Sequence, residues 1–112
     1  MRQNFLRLTA LSILAWLLAF ALTAAARAQN DVAKVYKTNC VLCHAADGSG
    51  NTTSGKALKA KDLASSEVQK KSDAELSEVI TKGKGKMPAF GAKLKPDDIK
   101  QLLEYIRSMA KK

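Results

Sequence analysis

The chain has 112 residues, of which 19 are basic and 10 are acidic, so its formal net charge is +9. This length suits one small domain with a modest apolar core. Two cysteines and one histidine are too few ligands for the usual four-coordinate structural zinc site. Nucleic-acid binding is not indicated either, because no aromatic residues are interleaved with the basic ones.

The N-terminal segment has the features of a cleaved signal peptide, which we assign to residues 1–28. Arg2 and Arg7 give a positive start, the run over residues 8–26 is almost wholly apolar, and residues 26–28 read Ala-Arg-Ala, an A-x-A cleavage sequence. We therefore expect one mature domain over residues 29–112. It keeps 16 of the 19 basic residues and all 10 acidic ones, a formal charge of +6.

The alternative for this segment is an uncleaved signal anchor, because the apolar run is close to the ~20 residues that span a bilayer. Cleavage after Ala28 would make Gln29 the new N-terminus. In both cases we expect the domain to be exported, and the location to be periplasmic.

Apolar spacing predicts a first helix from Asp31 to His44. Val32, Val35 and Tyr36 recur at helical intervals, and Asp31 is a residue type that caps helix starts. The end of this helix carries the most informative motif of the chain.

Residues 40–44 read Cys-Val-Leu-Cys-His, the attachment pattern of c-type haem. The thiols of Cys40 and Cys43 can add to the haem vinyl groups as thioethers, and His44 offers a nitrogen to the iron. A thioredoxin-type dithiol would need alternating strands and helices, and a disulfide this short would close too small a loop to gain much stability. We predict one covalent haem c, with a haem-free domain of thiol chemistry as a remaining alternative.

The middle of the chain is less regular. Residues 47–55 are rich in Gly, Ser, Thr and Asn and predict a loop along one side of the cofactor. Residues 56–69 are ambiguous, and we expect one short helical turn near residues 57–60. Leu58 and Leu63 are the expected buried anchors of this segment.

Two further helices have clear start signals. Ser72 and Glu75 form a capping-box pattern that predicts a helix from about Asp73 to Lys82. Pro96 suits the first turn of a last helix. The apolar residues at three- and four-residue spacing in that helix are Ile99, Leu102, Leu103, Ile106 and Met109. With no strand signal, the predicted fold class is all-α, with three main helices around the haem.

A second axial ligand must come from a residue other than histidine, because His44 is the only one. The soft thioether of methionine is the best candidate. Met109 lies on the apolar stripe of the last helix, as a core side chain would. Met87 lies in a glycine-rich loop before Pro88, where helix packing does not explain it. We predict Met87 as the ligand, and loop packing on the haem face is the alternative.

These motifs together resemble a known family. The haem motif follows a helix carrying Tyr36, residues 83–90 read Gly-Lys-Gly-Lys-Met-Pro-Ala-Phe, and the C-terminal helix carries Tyr105. Over essentially all of residues 29–112, the chain resembles a small class I monohaem cytochrome c of the bacterial, cytochrome c6-like sort.

The resemblance implies that the first and last helices cross and that His44 and Met87 bind opposite faces of the haem, with Cys40 and Cys43 as the thioether anchors. It also implies a one-electron carrier, not an enzyme, that works between respiratory or photosynthetic redox partners. The alternative is a ligand-binding sensor or peroxidase, in which Met87 is easily displaced.

The chain departs from the family pattern at two points. Val32 stands where the family usually has a glycine at the crossing of the two terminal helices. No proline lies between His44 and Met87, although many members use the carbonyl of a proline there to accept the imidazole N–H. The sequence therefore does not identify what orients His44.

Lysines flank the predicted methionine ligand on both sides, at positions 82, 84, 86, 93 and 95. They predict a basic surface that steers the protein toward an acidic docking patch on a redox partner. The alternative is an ordinary solvated surface, since lysine abundance alone is a weak signal. We expect the protein to be a monomer.

Overall fold

The computed structural model describes residues 1–110, apart from the side chains of residues 3–6, 8 and 24–30. The side chains of the predicted cleavage sequence Ala26-Arg27-Ala28 and the whole of Lys111 and Lys112 therefore lie outside the described part. Six helices are present in the described part: α1 (Arg2–Asn39), α2 (Val41–His44), α3 (Thr53–Leu58), α4 (Ser66–Gln69), α5 (Asp73–Lys82) and α6 (Pro96–Ser108). The same part contains no strand beyond one isolated bridge, so the all-α prediction is confirmed.

The first helix differs from its prediction. α1 runs without interruption from Arg2 to Asn39, so Asp31 lies inside it and does not cap its start. The physical reason is that residues 1–30 contain no glycine or proline and are rich in alanine and leucine, which favour helix. The haem motif does not continue this helix either, because a turn at Cys40 separates α1 from α2.

The chain forms two compact units, residues 1–31 and residues 32–112. The first unit exposes large apolar side chains, among them Trp16 and Phe20. Among the described residues, no helix is long and apolar enough to cross a membrane.

The second unit has its core between the last turns of α1, the segment around α4, and the helices α5 and α6. Tyr36 and Leu102 are its largest fully buried side chains. The rings of Tyr36 in α1 and Tyr105 in α6 pack with their centroids 5.1 Å apart and their planes at 54°. Val32 is also buried in this core, at the position where the family pattern has glycine.

The predicted bounds of α5 agree with the structure, as does the predicted start of α6. The capping box of α5 is formed, with the Ser72 amide donating to Glu75 Oε2 at 2.7 Å and the Glu75 amide donating to Ser72 Oγ at 3.2 Å. At the start of α6, the Lys95 amide donates to the Asp98 carboxylate at 3.0 Å. Both ends thus satisfy amide groups that a helix leaves unpaired.

The middle segment differs from its prediction. α3 begins at Thr53, inside the predicted loop, because Thr52 caps it by accepting from the Gly55 amide at 2.8 Å. The short helical turn expected near residues 57–60 lies earlier than predicted, since α3 ends at Leu58. Leu58 is 42% exposed and is not an anchor, whereas Leu63 is buried as expected.

Helix α3 packs closely on the haem motif through a glycine. A Cβ atom on Gly55 would collide with the backbone carbonyl oxygens of Cys43 and Gly50. The Thr52 hydroxyl donates to the Leu42 carbonyl at 2.7 Å across the same contact. The close approach of α3 therefore fixes the backbone that carries the two cysteines.

We predict that Gly55→Ala lowers the free energy of unfolding by about 1–3 kcal/mol, because backbone oxygens cannot move aside as a flexible side chain can. Denaturant unfolding of the haem-loaded protein measures this. Lys56→Ala, at the next and exposed position of α3, is the matched control and should stay within about 0.5 kcal/mol of the wild type. Equal stability of the two variants would contradict the close contact.

Candidate functional site

An apolar cavity lies inside the second unit, with an empty volume of about 350 Å³ including its mouth. Its lining residues come from α1, the haem motif, α5, the following loop and α6: Tyr36, Cys40, His44, Leu63, Ile80, Met87, Phe90, Leu94, Leu102 and Ile106.

The structure brings three of the four predicted site residues to this cavity. Cys40, His44 and Met87 line it, although Met87 lies 43 positions after His44 in the chain. Cys43 belongs to α2 and is half-buried, but it is not among the lining residues. Met109 does not line the cavity, and its sulfur lies instead beside Gly48.

The acceptor for the His44 ring is the backbone carbonyl of Lys61. His44 Nδ1 lies 3.0 Å from this oxygen. A carbonyl can only accept, so Nδ1 is the donor in this contact and Nε2 is the nitrogen left to bind a metal. The ring is thus held in the tautomer that a metal ligand requires. Sequence reasoning missed Lys61, because the contact uses its main chain and not its side chain.

The segment that presents the Lys61 carbonyl is held on both sides by backbone hydrogen bonds. Before it, the Ala60 amide donates to the Gly55 carbonyl at 2.8 Å. After it, the Leu63 amide donates to the Gly48 carbonyl at 2.7 Å. These two bonds place the His44 acceptor independently of any side chain at position 61.

A second set of contacts ties the same segment to α6. The Gln69 side-chain amide donates to the carbonyls of Leu63 at 2.7 Å and Ile106 at 2.9 Å. Arg107 donates to the Gln69 carbonyl at 2.8 Å and forms an ion pair with Asp73 at 2.7 Å. The last helix therefore supports the loop that orients the imidazole.

Met87 is presented by a tight turn after α5. The Lys84 amide donates to the Met87 carbonyl at 3.1 Å and the Met87 amide donates to the Lys84 carbonyl at 3.0 Å, around Gly85 with φ of 59°. Gly83, at φ of 75°, packs so closely on the Met87 carbonyl that a Cβ atom would lie 2.6 Å from it. The glycines of this loop are thus needed for the turn that directs the methionine side chain inward.

The chemistry of the donor set matches a c-type haem. One imidazole and one thioether face an otherwise apolar cavity. These are side-chain types that bind haem iron. Burial, aided by the nearby Cys43, raises the pKa of the Cys40 thiol to about 11. Both cysteines are free to form thioethers. In the described part of the chain, no group of three His, Cys, Asp or Glu residues forms a metal site of another kind.

Comparisons with known proteins agree with this chemistry. Residues 27–106 match the model of the family described as "Cytochrome C oxidase, cbb3-type, subunit III". The cytochrome c6 of Microcystis aeruginosa is 35% identical over 82 residues, which are 73% of this chain and 98% of that protein. The cytochrome c6 of a Picosynechococcus species is 34% identical over 106 residues, covering 90% of each chain.

A solved structure is also similar. The KustC0563 c-type cytochrome is 36% identical in sequence and superposes with a TM-score of 0.66, covering 70% of this chain and 96% of that one.

Proposed function

The chain belongs to the cytochrome c family and is an electron carrier with a covalent haem c, and on that premise we propose that Cys40 and Cys43 anchor the haem while His44 and Met87 are its two axial ligands. The observation that carries this assignment is the cavity that His44 and Met87 share. Met109, the other methionine of the mature chain, is outside its lining.

The bound haem supplies an iron that gains or loses one electron. The role of the chain's own residues is to hold that iron in nearly the same environment in both oxidation states. His44 is fixed by the Lys61 carbonyl, Met87 contributes a soft sulfur, and Leu102 and Ile106 contribute apolar wall. A thioether ligand and an apolar wall both disfavour the more highly charged ferric state and so raise the reduction potential.

We predict that Met87→Ala abolishes the weak sulfur-to-iron charge-transfer band of the ferric protein, because the thioether is lost. Met109→Ala is the matched control and keeps the band, since its sulfur packs beside Gly48. The measurement is the visible and near-infrared spectrum of protein purified with its haem.

A high-spin wild-type spectrum without this band would contradict the assignment of Met87. Rapid carbon monoxide binding by the reduced wild-type protein would also contradict ligation of the iron by Met87. Either result would favour the alternative of a sensor or peroxidase with an open iron site, because a haem with two strong protein ligands resists external ones.

We further propose that electrons leave near the methionine loop and that the redox partner presents an acidic patch there. The five lysines that flank Met87 are all exposed. Lys82 is partly neutralised by Glu78, whose carboxylate lies 2.9 Å away. No acidic residue occurs from position 83 to 96, so the positive charge of the loop extends to solvent and steers anions toward it.

We predict that the double variant Lys84→Glu with Lys86→Glu reduces ferricyanide roughly tenfold more slowly than the wild type at low ionic strength, because steering by charge is lost. The rate should also lose most of its dependence on salt. Stopped-flow kinetics measure both. Lys100→Glu, on an exposed position of α6, is the control and should change the rate much less. If Lys100→Glu slowed ferricyanide reduction as much as the double variant does, an electron exit site at the methionine loop would be contradicted.

For the location, we propose that residues 1–28 are removed on export to the periplasm. The support is the positive start, the apolar run and the Ala-Arg-Ala sequence. The compact unit that begins at Val32 and the family match that begins at residue 27 are both compatible with a domain that starts at Gln29.

We predict that the protein from a periplasmic extract begins at Gln29, as measured by intact mass. Ala26→Leu with Ala28→Leu should leave the segment attached, because the cleavage sequence requires small residues at these two positions. Arg27→Lys, at the middle position, should be cleaved normally. A wild-type protein that keeps Met1 and sediments with membranes would establish the signal anchor instead.

A further inference from the structure

The residue directly after the proposed iron ligand has an unusual backbone. Ala45 has φ of 62° and ψ of 167°, a region populated essentially by glycine alone. The other non-glycine residue with positive φ in the described chain is Lys59, at φ of 56° and ψ of 45°. Lys59 lies at the end of α3 in the left-handed region that is common for helix ends. Ala45 therefore carries backbone strain that Lys59 does not.

Hydrogen bonds hold the strained residue from two sides. The Ala45 amide donates to the Val41 carbonyl at 3.0 Å. The Ala45 carbonyl accepts from the Tyr36 hydroxyl at 2.8 Å and, more distantly, from the Gly48 amide at 3.3 Å. The shorter of the bonds to this carbonyl is thus made by a side chain from α1.

Tyr36 is well suited to this role. It is 2% exposed, and its ring is fixed against Tyr105. Burial, with smaller effects from Cys40 and other neighbours, raises the pKa of Tyr36 well above its usual value. The hydroxyl therefore stays protonated and keeps donating throughout the pH range in which the domain would work.

The backbone following Ala45 has little freedom to absorb a relaxation of the strain. The Gly50 amide donates to the His44 carbonyl at 2.9 Å. The Gly48 carbonyl accepts from the Leu63 amide at 2.7 Å. Because the loop is anchored at these points, a rotation at Ala45 would move α2, and with it the imidazole of His44.

We propose that Tyr36 is a positioning residue for the proximal haem ligand: its hydroxyl holds Ala45 in a strained conformation and so fixes the backbone from which His44 reaches the iron. This inference rests on the proposed ligation by His44. His44 is then held at two points. The Lys61 carbonyl holds its ring, and the Tyr36 hydroxyl, through Ala45, holds its backbone.

The first test is Tyr36→Phe, which removes the hydroxyl and keeps the ring. We expect the hyperfine-shifted proton resonances of His44 in the ferric protein to move and the midpoint potential to change. Tyr105→Phe is the matched control, because the Tyr105 hydroxyl makes no hydrogen bond within the described residues. It should leave both readouts at their wild-type values.

The second test adds Ala45→Gly, because glycine adopts this conformation without strain. In that background we expect Tyr36→Phe to shift the potential and the His44 resonances by less than half as much. If Tyr36→Phe alone fails to acquire its covalent haem during maturation, the double variant should acquire it. A residue with only a packing role would not show this rescue.

Unchanged His44 resonances and potential in Tyr36→Phe would overturn the inference, as would equal shifts in both Ala45 backgrounds. A wild-type ferric protein without hyperfine-shifted His44 resonances would instead overturn the ligation by His44 itself. The two failures are therefore distinguishable in one set of spectra.

Discussion

The hydrogen bond between His44 Nδ1 and the Lys61 carbonyl is the interaction on which the arrangement of the site depends. It connects α2, which carries the haem motif, to the segment between α3 and α4. That segment is in turn bonded to Gly48 through Leu63 and to α6 through Gln69. Most parts of the domain that surround the cavity thus bear on the orientation of one imidazole ring.

This dependence suits a domain that must place a permanent cofactor with few residues. The core has no buried polar or charged residue among those described, so orientation cannot come from a network of buried side chains. It comes mainly from main-chain groups, whose hydrogen bonds are obligatory in any fold. The Tyr36 hydroxyl and the Gln69 side-chain amide add to that framework, and each of them donates a hydrogen bond to a backbone carbonyl.

The sequence predicted those features that depend on side-chain identity. The haem motif, the capping box at Ser72 and the proline at the start of α6 each place a particular chemical group at a particular position. The features of the site that sequence reasoning missed depend on the backbone. The acceptor at Lys61 is a carbonyl that any residue supplies, and the strain at Ala45 is visible only in its dihedral angles.

The errors in the fold have equally local causes. The prediction that the first helix starts at Asp31 treats residues 1–28 as a removable segment, whereas in the full chain no glycine or proline separates that segment from Asp31 and α1 continues through it. The early start of α3 depends on the Thr52 side chain, in a stretch whose composition otherwise indicates a loop. Leu58 was assigned to the core by its type, but its place at the end of α3 turns it toward solvent.

The continuity of α1 through Asp31 has a consequence for a chain cut after Ala28. The new helix start would lose the carbonyl partners of its first amide groups and would gain the positive end of the peptide dipoles. Asp31 would then lie in the first turn, where a carboxylate offsets that charge. Asp31 lies in mid-helix in the full chain, but in the cut chain it would stabilise the helix start. Removal of residues 1–28 would thus itself create a favourable N-terminus for this helix.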